Sequence, residues 1–341
     1  MKKTIKLIGI IALVAVIGFS FAACGGDDGR DDNNFTYTET ENDVTITKYN
    51  GTATSVKIPE QINGKPVTSI GDYAFNSCSN LTSVTIPNSV TRISDLAFYR
   101  CQGLPGVNIP KSVTNIGSRA FADCPSLTAI NVDKDNDAYT SDDGVLYRKD
   151  KLFLWTYPAG KPGSSFSIPD GVTNIYSGAF DENQNLTSVG IPASVTYLSG
   201  EDFWKFTKLA AINVDAANPA YSSSDNGVLY NKAKTTLVCF PKSGPITSGT
   251  FTIPATVTTI GEYAFGYAGL TSITIPATVN RIEKLAFNYC ANLTSVKFEG
   301  TIGYGYLNDD AFYGDLSYKY IDGGKGTYKG TYSSRTWTKQ L

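Results

Sequence analysis

The residues able to do chemistry are few, and the first observation about them is an absence. The 341-residue chain has no histidine, which removes the commonest general base and the commonest metal ligand. No Ser-His or Cys-His pair is then available for nucleophilic catalysis, and no glycine-rich phosphate loop is present. Any two carboxylates could converge for glycoside hydrolysis, but no spacing singles out a pair. Neither catalysis nor a cofactor is expected. The formal net charge of −2 carries no nucleic-acid footprint.

Of six cysteines, Cys78, Cys101, Cys124 and Cys290 each follow a Phe by three positions, where comparable stretches carry Asn183, Phe206 and Ala268. A position that accepts Cys, Ala or Phe belongs to a core, so buried thiols are expected. Strands in register would set neighbouring thiols about 4.8 Å apart with parallel Cβ vectors, which suits a disulfide poorly. Zinc would need tighter convergence. Asp133, Asp135 and Asp137 form D-x-D-x-D, a calcium-like spacing. Ala138 stands where a calcium loop needs Gly, and no bidentate Glu follows. A solvated acidic loop is the expectation, and no metal site.

Cys24 is a different matter. Met1, Lys2, Lys3 and Lys6 start a positive region, residues 7–23 are apolar, and Cys24 follows. Positive start, apolar centre and small residues before a break read as a secretory signal peptide over 1–23. FAAC at 21–24 resembles a bacterial lipobox, with Phe21 where leucine is usual. That resemblance implies lipid attachment at Cys24 and a membrane anchor made of two or three acyl chains; the alternative is an ordinary cleaved signal. Residues 24–34 are Gly- and Asp-rich and read as a flexible acidic tether. The acidic run is similar to surface-export signals of Bacteroidetes lipoproteins. Together these imply an exported protein, lipid-anchored to the outer membrane and facing the cell exterior.

The elements that position everything else come from a repeat. Ile-Pro recurs at 58–59, 86–87, 109–110, 168–169, 191–192, 253–254 and 275–276. Ala-Phe recurs at 74–75, 97–98, 120–121, 179–180, 264–265, 286–287 and 311–312, at 23-residue spacing where nothing intervenes, or 22 between 264 and 286. In the unit at 81–103, LTSVTIPNSVTRISDLAFYRCQG, Leu81, Val84 and Ile86 follow L-x-x-L-x-L spacing. Val84 and Ile86 point inward from a short strand that Pro87 ends. Ser94-Asp95 can cap a short helical turn carrying Ala97 and Phe98. One unit cannot bury its apolar side alone, so the units must stack into a solenoid with a parallel sheet on one face and helical turns on the other.

The expected order is an N-terminal β cap over 35–57, with Asn50-Gly51 as a hairpin turn, a solenoid over 58–315, and a C-terminal β cap over 316–341 packed through Tyr328, Tyr332 and Trp337. Insertions at 133–167 and 215–252 are related. GVLY occurs at 144–147 and 227–230, and LWTYP at 154–158 matches LVCFP at 237–241. Each reads as a β-hairpin that projects from or pads one edge of the solenoid.

The outward strand positions form two rows. One holds Ser83, Gly106, Ala129, Ser188, Ala211, Ser272 and Ser295, the other Thr85, Asn108, Asn131, Gly190, Asn213, Thr274 and Lys297. Ser83, Thr85, Asn108, Asn131, Asn213 and Thr274 are the candidate hydrogen-bonding surface for a large partner. Trp155, in the first insertion, is a further candidate.

The unit LTSVTIPNSVTRISDLAFYRC resembles the BspA-like leucine-rich repeat family, a match over roughly residues 58–315, and the segment GVLYNKAKTTLVCFP and the tail GGKGTYKGTYSSRTWTKQ also resemble segments of that family. The resemblance implies a leucine-rich-repeat fold and a secreted or lipid-anchored surface protein associated with adhesion to host proteins or other cells. The expected function is therefore a non-catalytic binding scaffold for a protein ligand. The alternatives are a glycan-binding surface lipoprotein and a self-associating structural envelope protein.

Overall fold

A computed structural model describes residues 34–340, except 184, 204, 207, 245, 247, 248 and 304. The expected signal peptide, Cys24 and almost all of the expected tether lie outside the described residues. The chain winds into a β-solenoid of about 11 turns with very little helix. Each complete turn contributes two short strands and a stacked turn.

The first strand of each turn carries the x-Val-x-Ile pattern. Ser83–Thr85 pairs in parallel with Ser55–Lys57, and Ala129–Val132 with Gly106–Ile109. Ser165–Ser167, Ser188–Ile191 and Ala211–Val214 form a second parallel group, and Thr250–Thr252, Ser272–Ile275 and Ser295–Phe298 a third. The second strand of each turn is shorter. Lys65–Ile70, Arg92–Ile93 and Asn115–Ile116 stack in one parallel ladder. Two-residue periodicity sends Val84, Val107 and Ile130 into the core and their neighbours outward.

The Ala-Phe turns are not helical. Phe75 N–H donates to Ala97 O at 2.7 Å and Phe98 N–H to Ala120 O at 2.8 Å, so alternate N–H groups bond to the next turn, while those between them, such as Tyr99 N–H to Leu96 O, close i to i−3 turns. Leu96 and Arg100, on either side of Phe98, have φ of 55° and 61°. Left-handed residues at these two places break any i to i−4 ladder and aim the N–H groups along the solenoid axis. Asp95 caps across rungs, its Oδ1 accepting from Ser118 N–H at 2.7 Å. The phenylalanines then stack face to face, with centroids 4.9 Å apart for Phe75–Phe98 and 5.5 Å for Phe98–Phe121.

The insertions neither project nor merely pad an edge. In the first, Tyr139–Asp142, Val145–Arg148 and Phe153–Thr156 form an antiparallel trio, and the last strand pairs in parallel with Asn174–Ile175. Tyr221–Ser223, Leu229–Asn231 and Thr236–Cys239 repeat this in the second. Both faces of the central strand are buried. Leu146 belongs to the core of the N-terminal turns, whereas Val145 and Tyr147 belong to the middle core. Likewise Leu229 faces the middle core and Val228 and Tyr230 the C-terminal one. The insertions are walls that divide one stack into three cores.

Both ends are closed by antiparallel strands. Phe35–Glu39 pairs with Val44–Tyr49, and Tyr49 starts the aromatic column at 5.4 Å from Phe75. The connecting turn is at Thr40–Asp43, closed by Thr40 N–H to Asp43 O, and not at Asn50-Gly51. Asn50 instead carries the chain from the second-strand ladder to the first. At the other end Gly326–Gly330 and Trp337–Lys339 extend the sheet beyond Ser295–Phe298. Tyr328 and Trp337 are buried there, and Tyr332 is half-buried. This cap also holds the helix Leu316–Gly323, which buries Leu316 and Tyr320 four residues apart.

Candidate functional site

The row from Thr85 to Lys297 is exposed except at half-buried Gly190, whereas in the other row only Ser83 is exposed and Gly106, Ala129, Ser188, Ala211, Ser272 and Ser295 are half-buried. Ser83, Thr85, Asn108, Asn131, Asn213 and Thr274 are all exposed, while the residues between them in sequence are buried. Asn108 and Asn131 are direct partners in adjacent strands, and Asn131 Nδ2 donates to Asn108 Oδ1 at 3.2 Å. Thr274 lies between Thr252 and Lys297. Thr82, Thr128, Thr187 and Thr294 flank the strands and turn their hydroxyls onto carbonyls of the preceding turn. The face offers mostly short amide and hydroxyl groups, with Lys297 the long side chain at its C-terminal end.

This face is not continuous. After Asn131 and Asn213 the insertions replace the next parallel strand. Ile130 N–H donates to Gly144 O, and Ile212 N–H to Gly227 O, each at 2.9 Å. Gly144 has φ of 74°, and a Cβ there would lie 2.8 Å from Ala129 Cβ. Ala129 and Ala211 are therefore small because a turn crosses over them. The face is divided into three segments, ending at Asn131, at Asn213 and at the C-terminal cap.

Trp155 is elsewhere. It sits on Phe153–Thr156, in the second-strand ladder, so the structure does not bring it to the six sheet-face residues. Its ring is half-buried, stacked on Tyr176 at 4.0 Å and met edge-on by Tyr139 at 5.5 Å. Trp155 lines an open groove of about 630 Å³ whose other walls include Thr114, Asp137, Arg148, Lys149 and Asp150. Arg148 donates Nε to Asp150 Oδ2 at 2.8 Å and lies over the Phe153 ring. That hydrogen bond holds the Asp150 carboxyl below its usual range. Most other insertion aromatics, among them Tyr147, Tyr157, Tyr230 and Phe240, are core residues.

Of the remaining candidates, Cys78 is half-buried rather than buried. Cys101, Cys124 and Cys290 are buried, and each thiol donates to the carbonyl of a core Phe in the preceding turn, at 3.2, 3.1 and 3.0 Å. Burial pushes the Cys290 thiol up to about 12, so it is no thiolate nucleophile near neutral pH. In the acidic run, Asp133 Oδ1 accepts from Asp135 N–H at 2.9 Å and Lys134 pairs with Asp135. Asn136, within that run, was not recognisable as important from the carboxylate pattern. It is fully buried, and its Nδ2 donates to Pro110 O and Val113 O while its Oδ1 accepts from the N–H groups of Ala138 and Tyr139. The available signal was retention: the second insertion keeps Asn218 but replaces Asp135 and Asp137 with Ala217 and Pro219.

A second unforeseen feature is an ion pair across the first insertion. Arg119 Nε meets Asp181 Oδ2 at 2.7 Å, and the Asp181 side chain is only 3% exposed. Burial raises the Asp181 carboxyl pKa, and the Arg119 charge opposes that rise.

Comparison with known proteins gives a family match. The BspA type leucine rich repeat region matches in 6 copies over residues 48–149, 160–248 and 238–323. No curated protein matches. Among solved structures, a leucine-rich repeat protein from Eubacterium ventriosum is 22% identical, with a TM-score of 0.43 over 79% of this chain and 71% of that one. One from Bacteroides ovatus is 22% identical, with a TM-score of 0.43 over 79% and 70%. The pneumococcal vaccine antigen PcpA is 18% identical, with a TM-score of 0.38 over 79% and 80%.

Proposed function

The chain belongs to the BspA-type leucine-rich repeat family, and we propose that it is a non-catalytic binding scaffold on the bacterial surface whose sheet face engages a protein of a host or neighbouring cell. One observation carries this reading. The residues that repeat are buried, while the positions that vary between turns, Thr85, Asn108, Asn131, Asn213 and Thr274, are exposed on strands of fixed register. A rigid scaffold with a variable polar face is what recognition of a large partner requires.

The test is a binding screen of residues 35–341 against matrix and epithelial proteins. Saturable binding that Asn108→Arg and Asn131→Arg abolish supports the reading, because a bulky cation would cover the small side chains around it. Absence of saturable binding across the screen overturns it.

Anchoring through a lipid on Cys24, with the solenoid facing the cell exterior, is part of the same proposal. It rests on the leader over 1–23 and the Gly-Asp tether. Metabolic labelling with a fatty acid tests it: incorporation must be lost in Cys24→Ala. A second reading, glycan capture, is favoured by the aromatic groove at Trp155.

A further inference from the structure

The two insertions share a backbone but not a surface. Asn136 and Asn218, Tyr139 and Tyr221, Gly144 and Gly227, and Leu154 and Leu237 are kept, and these carry the fold. Around the groove Thr114, Ala138, Tyr139 and Lys149 keep their residue type in Thr196, Ala220, Tyr221 and Lys232, and the other positions differ. Val238 stands for Trp155 and Gly261 for Tyr176, as the paired registers of the two ladders place them. Asn231 replaces Arg148, Ala233 replaces Asp150 and Pro219 replaces Asp137. Val238 is buried in its own copy, so the wall folds without an aromatic ring there. The stack of Trp155 on Tyr176 and the rim charges of Asp137, Arg148 and Asp150 are therefore additions to the scaffold, not demands of it.

What the additions suit follows from their chemistry. The groove's volume of about 630 Å³ lies within the range of about 300–1,000 Å³ usual for small-ligand sites. Its floor includes an indole ring braced by Tyr176 at 4.0 Å. Its rim offers carboxylates, a guanidinium, an ammonium and a hydroxyl. The cations Arg148 and Lys149 balance Asp137 and Asp150, so no net field selects a polyanion or a cation. An aromatic surface beside neutralised, hydrogen-bonding walls matches a neutral sugar, whose ring has an apolar C–H face and an equatorial rim of hydroxyls.

We propose that this groove binds a neutral oligosaccharide, with one pyranose ring packed on Trp155 and its hydroxyls bonded to Asp137, Asp150, Arg148 and Thr114. The proposal rests on the glycan-capture reading of this same groove and narrows it to neutral sugars; it does not rest on the sheet-face reading, because the groove is on the other ladder.

The experiment titrates the full chain, held in a sugar-free zwitterionic detergent, with maltohexaose, cellohexaose, laminarihexaose and xylohexaose. Calorimetry and tryptophan fluorescence are read together, with a hyaluronan hexasaccharide as the anionic comparison. Saturable binding of at least one neutral hexasaccharide is expected, weakened at least ~10-fold in Trp155→Val. That substitution copies Val238 and leaves the thermal midpoint near that of the wild type. Asp150→Ala, which copies Ala233, must weaken the same titration. The proposal is overturned if no neutral hexasaccharide binds, if binding survives Trp155→Val unchanged, or if the anionic sugar binds more tightly. Protein capture by the sheet face is unaffected in Trp155→Val, so failure of one proposal is distinguishable from failure of the other.

Discussion

Asn136 and Asn218 make the same four hydrogen bonds, one residue in each insertion. Each side-chain NH₂ spans two carbonyls of the preceding turn, Pro110 and Val113 for Asn136 and Pro192 and Val195 for Asn218. Each side-chain oxygen accepts from two N–H groups ahead of it. The amide uses its full capacity at the point where the parallel ladder stops and the wall begins.

Asn136→Ala is therefore expected to orphan buried backbone groups and to destabilise by about 2–4 kcal/mol. Asn218→Ala is expected to match it. Asn136→Asp costs a comparable amount at neutral pH, because a carboxylate cannot donate to the two carbonyls. Denaturant melts of the three variants check this, and a loss within error of zero would contradict the bonding.

Phe98→Ala opens the middle of the Tyr49–Phe75–Phe98–Phe121 column. Phe98 is fully buried, so the cavity is expected to cost about 3–5 kcal/mol. Thermal unfolding measures it.

Asp202 gives the fold a pH dependence of definite sign. Burial pushes its carboxyl up to about 6, opposed by Ser199 N–H at 2.7 Å and reinforced by Glu201. The unfolded value is about 3.9, so the folded state holds the proton longer, and this contribution to stability is present below about pH 4 and lost by about pH 6. Asp202→Asn keeps the acceptor and removes the charge. Between pH 4 and 7 the wild type should lose about 2–3 kcal/mol relative to the variant. Parallel profiles in pH-dependent melts would refute the burial of the charge.

The Arg119–Asp181 pair should be asymmetric under substitution. Arg119→Met leaves the Asp181 carboxylate buried without its partner and is expected to cost about 3–5 kcal/mol. Arg119→Met combined with Asp181→Leu should cost much less, since no buried charge remains. A double-mutant cycle decides it, and a double variant as unstable as Arg119→Met alone would rule out the ion pair as the cause.

The repeat made most of the architecture legible. Short-range periodicity distinguishes inward Val84 and Ile86 from outward Ser83 and Thr85 without any long-range information, and the same rule placed the outward rows. It did not show what the Ala-Phe turns would be. Their backbone is decided by hydrogen bonds between Phe98 and Ala120, 22 residues away in sequence, and local propensity favoured a helix. The insertions were recognisable as related strands, but the meaning of Asp143-Gly144 was not. That turn lies against Ala129, and the contact exists only once the turns are stacked.

The sequence by itself determined the solenoid, its period, its buried residues and the family to which it belongs, because each of these is an alternation that a single unit repeats. Only the tertiary structure decided where that regularity stops. Whether Leu146 and Tyr147 face one core or two depends on which turns lie above and below them. The position of Trp155 on a ladder apart from the sheet-face residues depends on the same stacking. Neighbours along the solenoid axis are about one repeat or more apart in the chain, so local sequence pattern cannot specify the groove they form.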